Sequence, residues 1–229
     1  MSKKIDLIVP VYNEEMVLQQ FYQKIRAVPL DINLTFIDNA STDKSLSILK
    51  GFKDATVIKH DRNEGYGASI CDGIRNTSGE VIAIIDADCE YPPESLPEML
   101  AQLDTADVVY ASRFLKPTHN NMPFLKMFGN KVISALFNLL FNQNVTDLYT
   151  GCKILKRSTL EGIFFERQGF EHVLELGAKL AKKGVSITEV HVDFNPRQTG
   201  RSKMKHLQET CKYIYLICYY FFKLEQWNN

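Results

Sequence analysis

Val81-Ile82-Ala83-Ile84-Ile85-Asp86-Ala87-Asp88-Cys89-Glu90 is the stretch around which this chain is organised. A run of apolar, mostly β-branched residues stops abruptly at two carboxylates spaced i, i+2, with a third acid two residues further on. Such a run reads as a strand buried on both faces. The carboxyl end of a strand of this kind is where open α/β sheets hold their ligands. Two acids so close repel each other unless a cation lies between them, and oxygen donors suit Mg²⁺ or Mn²⁺. Phosphate is the usual companion of such a hard ion. Asp-x-Asp is also common as a plain acidic turn, so the flanking sequence has to decide between the two.

Upstream, Ile5 to Val11, Leu34 to Asp38 and Thr56 to Lys59 read as three further strands. Each is followed by a polar turn and a helical pattern. Asn13 is the expected cap of a helix through Phe21 to Arg26, and Ser41 or Thr42 of a helix through Leu49. The glycine-bearing loop Asp61 to Gly67 leads into a helix through Ile74. Downstream, Pro92-Pro93 suits the first turn of another helix, and Asp107 to Ser112 reads as a fifth strand. This alternation implies βαβ units and a mainly parallel sheet flanked by helices. Right-handed crossovers put every strand-to-helix loop on one edge. Asp38, the glycine loop and Asp86/Asp88 are therefore expected to converge.

The second half is less regular. Leu125, Phe128, Val132, Leu136 and Leu139 or Leu140 follow a helical period within Phe124 to Phe141. Asp147 to Gly151 is a polar turn before a strand beginning at Cys152. Phe170 to Lys183 reads as a helix ended by Gly184, and Ser186 to Phe194 as a half-exposed strand. Asn195 to Lys203 is a basic loop containing glycine, and a final helix runs from His206 to Lys223.

Composition narrows the class. At 229 residues with zero net charge, the chain fits one sizeable α/β domain, and bulk electrostatics gives no footing for nucleic acid. Its five cysteines show no paired or zinc-like spacing, which fits free thiols in a reducing cytoplasm. The amino terminus has no signal-peptide pattern, and no apolar run is long enough for a bilayer. A cytosolic protein is expected, with a membrane surface still open. The run Tyr213 to Phe222, about 15 Å long as a helix, fits either an interfacial helix or one packed into a core or dimer. Gly65 and Gly67 do not form a dinucleotide fingerprint, which disfavours a Rossmann dehydrogenase.

Val9 to Glu15, Asp38 to Asp43, Asn63 to Ala68, Asp86-Ala87-Asp88, Asp147 to Gly151 and Arg197-x-x-Gly200-x-Ser202-Lys203, in this order and spacing, resemble family-2 inverting glycosyltransferases. Asp86-Ala-Asp88-x-Glu90-x-Pro92-Pro93-Glu94, Ser112-Arg113-Phe114 and the late basic loop look most like the dolichol- or polyprenyl-phosphate sugar synthases. The resemblance covers Ile5 to about Lys205 and implies a GT-A fold. It implies one domain over residues 1–205, with a nucleotide-sugar half at 1–112 and an acceptor half at 113–205. Residues 206–229 would follow as an aromatic helix.

Carried over residue by residue, the resemblance assigns Pro10, Tyr12, Glu14, Asp38, Gly67, Ala87, Arg197 and Lys203 to the donor. It gives Asp86, Asp88 and Glu90 to a Mg²⁺ or Mn²⁺ ion held against the donor diphosphate. Arg113, Lys131, Ser134 and Ser202 are assigned to the acceptor. Asn39 stands where the family usually has a second Asp, and Asn130 where an Arg is expected, with Lys126 and Lys131 nearby. An ionised lipid phosphate would need no general base, whereas a sugar hydroxyl would need a carboxylate to take its proton. Asp147 ranks first for that task, ahead of Glu171 and Glu175, which equally fit a solvated helix face. Asp88, Asp147 and Arg113 are thus the candidate catalytic set.

The reading is a metal-dependent transferase moving a sugar from a UDP- or GDP-sugar to polyprenyl phosphate at the cytoplasmic face of a membrane. The runner-up extends a polysaccharide or glycolipid at a hydroxyl. A non-catalytic nucleotide-sugar-binding protein is a third reading, and a nucleotidyltransferase is disfavoured by the basic loop.

Overall fold

The computed structural model describes residues 4–116, 124–193 and 206–225. Seven strands form one sheet: β1 Ile5–Val11, β2 Ile32–Asp38, β3 Thr56–Lys59, β4 Val81–Ile85, β5 Val108–Ser112, β6 Cys152–Lys156 and β7 Ile187–His191. Their order across the sheet is β3-β2-β1-β4-β6-β5-β7. Every pairing is parallel except those of β6, which runs antiparallel to both β4 and β5. The helices are α1 Leu18–Ala27, α2 Ser45–Leu49, α3 Tyr66–Arg75, α4 Leu96–Gln102, α5 Phe124–Phe141, α6 His172–Lys182 and α7 His206–Glu225.

All five residues of β4 are buried, because the two-residue strand period feeds two separate cores. Val81, Ala83 and Ile85 join Phe21, Leu49, Leu96 and Met99 from α1, α2 and α4 on one face. Ile82 and Ile84 join Ile70, Phe137, Leu174 and Ile217 from α3, α5, α6 and α7 on the other. Each such side chain is worth about 1.5–3 kcal/mol when fully buried, so a polar residue in this run would be excluded from either side.

Strands β1 to β3 step outward in one direction, and α3 then carries the chain back to lay β4 on the other flank of β1. The order reverses between β1 and β4, and a crevice opens at their carboxyl ends. Strand β6 enters from that same edge: Asp86 N–H donates to Gly151 O at 3.0 Å, immediately before β6 begins. Starting there, β6 can only run back against β4. The sheet is therefore mixed at one strand and otherwise parallel.

Helix starts differ from the sequence expectation. Asn13 caps no helix: α1 begins at Leu18 after Val17, without a side-chain cap. Instead Asn13 adopts φ 55°, and its Oδ1 accepts the Thr42 N–H at 2.7 Å. Ser41 and Thr42 do not cap α2 either. Ser41 Oγ accepts the Asn13 N–H at 3.0 Å, and it is Asp43 Oδ1 that accepts the Ser45 N–H at 2.9 Å. Asx-type side chains serve loops as readily as helix ends, and here the loops after β1 and β2 take them. At the other end of α6 the expected stop holds, with Gly184 at φ 76°.

Helix α7 is apolar on two faces that meet different surroundings. Tyr213, Leu216, Ile217 and Tyr220 are buried in the second core, while Tyr215 and Phe222 are exposed. Among the described residues no helix is long and apolar enough to cross a membrane. Cys71, Cys89, Cys152 and Cys218 are free thiols.

Candidate active site

At the carboxyl ends of β1 and β4 lies a cavity of about 320 Å³. Pro10, Tyr12 and Glu14 form one wall, Asn39, Asn63 and Gly65 another, and Asp86, Ala87 and Asp88 its floor. Tyr66 at the start of α3 and Gly169-Phe170 ahead of α6 complete it. The glycine loop and Asp86/Asp88 converge as the topology leads one to expect, whereas Asp38 does not reach the cavity and its neighbour Asn39 does. Its rim is stitched by side chains to backbone amides: Ser45 Oγ accepts the Glu14 N–H at 2.9 Å, and Asn39 Oδ1 the Glu64 N–H at 2.8 Å.

Asp86 and Asp88 both reach this cavity. Tyr66 O–H donates to Asp86 Oδ1 at 2.9 Å, and the ring of Tyr66 stacks on Phe170 at 5.2 Å. Burial, then the charge of Asp86, push the Tyr66 phenol well above its ordinary range, so it stays a donor. Asp86 Oδ2 lies against Gly151, where a β-carbon would come within 2.1 Å of it. Any larger residue at 151 would have to displace that carboxylate. Asp88 turns one oxygen inward, with Oδ1 accepting the Glu90 N–H at 3.0 Å. Two carboxylates on a rigid strand end, one of them in a cradle that excludes any side chain, form an all-oxygen donor set that fits a hard divalent cation. Behind Asp86, Lys153 is buried and donates to Thr150 O. Burial pulls its pKa down to about 8 while Asp86 acts in the opposite direction.

Other sequence candidates lie elsewhere. Asp38 is fully buried, and its carboxylate has no hydrogen-bond partner among the described residues. Its neighbour Asn39 is the residue that lines the cavity. Gly67 lies beneath the rim, where an added β-carbon would stand 2.5 Å from both Arg167 O and His172 Cβ. It serves close packing, and Gly65 takes the position facing the cavity.

Arg113 and Asp147 form a buried pair, with Arg113 Nε donating to Asp147 Oδ2 at 2.6 Å and Nη2 to Oδ1 at 2.9 Å. The guanidinium also lies 5.2 Å from the Tyr91 ring. Burial opposes its charge, yet Asp147 more than compensates and raises its pKa. Asp147, fully buried and bidentate, is placed as the counter-ion of Arg113 and lines no part of the cavity.

Glu175 is neither in the cavity nor solvated: buried, it accepts the Glu166 and Arg167 N–H groups at 2.9 Å and pairs with Lys179 at 2.7 Å. Glu171 pairs with Lys212. Ser134 Oγ is buried and accepts the Leu148 N–H at 3.1 Å, whereas Lys131 is exposed on α5. Glu90 follows Asp88 without lining the cavity. Arg197, Ser202 and Lys203 fall outside the described residues.

Asn63, Ser69 and Phe170 also line the cavity without having been singled out as ligands in the sequence. Phe170 carries no motif, only the helical period of its own segment, and nothing local marks its return to α3.

A mostly parallel sheet whose order reverses over paired carboxylates matches the GT-A fold, and solved structures agree on that fold. The Mycobacterium tuberculosis glucosyl-3-phosphoglycerate synthase, in complex with Mn²⁺, UDP and glucosyl-3-phosphoglycerate, superposes with TM-score 0.71 at 17% identity, covering 97% of this chain and 80% of that one. The chain belongs to glycosyl transferase family 2, whose model matches residues 6–164. A dolichol-phosphate mannosyltransferase of Pyrococcus furiosus is 25% identical over 235 residues, 99% of this chain and 65% of the relative. This chain thus spans less than two thirds of that protein's length. A UDP-N-acetylglucosamine–dolichyl-phosphate N-acetylglucosaminyltransferase of Methanococcus voltae is 26% identical over 182 residues, 70% of this chain and 72% of the relative.

Proposed function

We propose that the chain transfers a sugar, with inversion and with a divalent cation, from a nucleotide-sugar to polyprenyl phosphate. The observation that carries this reading is the placement of the three candidate bases. Asp147, Glu171 and Glu175 are each engaged with a cation and none lines the cavity. A hydroxyl acceptor would need one of them, whereas a phosphate brings an oxygen already ionised at neutral pH. The names of the Pyrococcus and Methanococcus relatives point to the same acceptor class.

In this reading Pro10, Tyr12, Glu14 and Asn39, with Asp38 behind them, enclose the nucleoside, Gly65 lets the chain pass close to it, and Gly67 supports that loop by packing beneath it. Asp86 and Asp88, with Glu90 beside them, hold Mg²⁺ or Mn²⁺; the mycobacterial synthase of the same fold was solved in complex with Mn²⁺ and UDP, which supports a divalent ion here. The ion supplies charge neutralisation to the leaving diphosphate. Ala87 keeps the floor narrow, and Tyr66 and Gly151 fix the direction of Asp86. Arg113, held by Asp147, adds fixed positive charge, while Lys131 and, from the late loop, Arg197, Ser202 and Lys203 meet phosphate oxygens; Ser134, buried against Leu148, supports α5 from within.

Residues 1–112 carry the donor and 113–205 the acceptor. Helix α7 then places Tyr215 and Phe222 at the cytoplasmic surface of the membrane that supplies the lipid. A screen of UDP- and GDP-sugars with Mn²⁺, with and without polyprenyl phosphate, tests the reading. Sugar-lipid formed only when the lipid is present is the expected result. Transfer to hydroxyl glycans with no product on polyprenyl phosphate would overturn it.

A further inference from the structure

Away from β4, His60, Glu64 and Asp72 bring one donor atom each to within 4.8 Å of one another. His60 follows β3, Glu64 lies in the loop to α3, and Asp72 is on α3 itself. The imidazole is buried, its side chain only 6% accessible, and its tautomer is fixed by neighbours. Asn39 Oδ1 accepts the Glu64 N–H at 2.8 Å, and Asn39 Nδ2 donates to Asn63 Oδ1 at 3.0 Å. Asn63 Oδ1 in turn accepts the Gly65 N–H at 3.1 Å. An oxygen therefore faces His60 Nδ1 at 3.1 Å, and Nδ1 must carry the hydrogen.

That leaves Nε2 3.0 Å from Asp72 Oδ2 but off the line of a hydrogen bond. In the neutral ring Nε2 presents a lone pair to a carboxylate. A cation between them removes the repulsion, since two donors each about 2.0–2.1 Å from one ion lie roughly 3 Å apart. Arg75 holds the other oxygen, Asp72 Oδ1, at 2.6 Å and so turns Oδ2 towards the ring. Glu64, with its side chain 38% accessible, supplies the third donor on the solvent side, where water can complete a tetrahedron.

We propose that His60, Glu64 and Asp72 form a second cation site, taking one Zn²⁺ ion through an imidazole nitrogen and two carboxylates. This donor set differs in kind from the all-oxygen pair Asp86/Asp88, because imidazole selects for borderline transition metals over Mg²⁺. The role of the ion follows from its place. Asn39, Asn63 and Gly65 line the cavity, and the ion fastens the loop that carries two of them to α3. Loading the site stiffens the nucleoside end of the cavity and raises the melting temperature.

The test uses the full chain carrying Asp86→Asn and Asp88→Asn, so that the first pair cannot bind. Equilibrium dialysis against buffered Zn²⁺, with metal content measured, is expected to show one ion per chain and a higher Tm. Adding His60→Gln should weaken Zn²⁺ binding at least tenfold. Adding Glu64→Gln, which leaves the buried ring in place, should do the same with the far-ultraviolet spectrum unchanged. No Zn²⁺ bound by the parent variant, or equal binding after both substitutions, would overturn the site and leave an ordinary imidazolium–carboxylate pair. Metal content is read without sugar transfer, so this outcome and the outcome of the donor screen are independent.

Discussion

Around β1 and β2 the loops are tied by short polar side chains to backbone amides; around β5 and β6 they are tied by charges buried beneath the surface. Asn13 holds Thr42, Asp43 Oδ2 holds the Glu15 N–H at 3.1 Å, and Glu15 Oε2 returns to the Lys44 N–H at 2.8 Å. Across the sheet, Asp147 grips Arg113, and Glu189 accepts the Thr146 and Asp147 N–H groups at 2.8 and 2.9 Å. The first arrangement is many small, replaceable bonds. The second is a few groups whose loss strands a partner in a medium that cannot solvate it. A shared sheet edge therefore has a tolerant half and an all-or-none half.

The comparison breaks first at Arg113 and Asp147. Asp147→Asn, leaving Arg113 buried without its counter-ion, should cost about 3–5 kcal/mol of stability, and Arg113→Met a similar amount. Arg113→Met with Asp147→Leu should recover most of that loss, since no charge is then left behind. By contrast Asn13→Gly, which keeps the positive φ and deletes one bond, should cost only about 1 kcal/mol. Urea midpoints of the four variants decide the matter. Equal losses for Asn13→Gly and Asp147→Asn would end the distinction between the halves.

Next in size is Asp88→Asn. If the pair on β4 holds the donor's cation, transfer should fall at least about a hundredfold while the fold is kept. Turnover within a few-fold of the parent chain would remove Asp88 from the metal site. Smaller again is Tyr66→Phe, which deletes only the hydrogen bond to Asp86. A rise of roughly tenfold in the Mn²⁺ concentration needed for half-maximal rate, with kcat nearly unchanged, is expected for loss of one hydrogen bond to a charged group. A fall in kcat with an unaltered Mn²⁺ requirement would mean that Tyr66 meets the sugar instead of positioning Asp86.

Legibility in the sequence follows the same divide. The βαβ rhythm, the mainly parallel sheet and the gathering of loops at one sheet edge follow from local patterns, because period and turn chemistry act over a few residues, whereas the reversal of strand order over Asp86 and Asp88 is set by long-range pairing. Pro10, Tyr12 and Glu14 could be placed at the cavity through the resemblance carried by Val9 to Glu15, a motif short enough to survive in the sequence intact. Asp147 could not be placed, because its partner Arg113 lies 34 residues away and a carboxylate in a turn reads the same whether exposed or paired. Glu175 was hidden likewise, its three partners all meeting inside the fold. Phe170 reaches the cavity only because the segment before α6 packs back onto α3, with Ala68 N–H donating to Gln168 O at 3.1 Å. No spacing in the sequence records that return.

The smallest effect at neutral pH belongs to His172, which lies under Gly67 and against Phe165 at 4.4 Å. Burial, reinforced by the charges of Lys153 and Lys179, holds its pKa at about 3, against 6.5 for the ordinary side chain. The unfolded chain therefore takes up a proton in a range where the folded chain refuses it. Stability from this residue is complete above about pH 6.5 and is lost as pH falls towards 3, because over that interval the unfolded state binds more protons. The loss should be on the order of 1 kcal/mol near pH 5.5. His172→Gln, which keeps polarity and cannot titrate, should leave the urea midpoint at pH 7.5 almost unshifted apart from a constant packing cost. It should also flatten the decline between pH 6.5 and 5 relative to the parent chain. Parallel declines in the two proteins would show that the imidazole accepts its proton in the folded state, and that the junction of α3 with α6 is open to water.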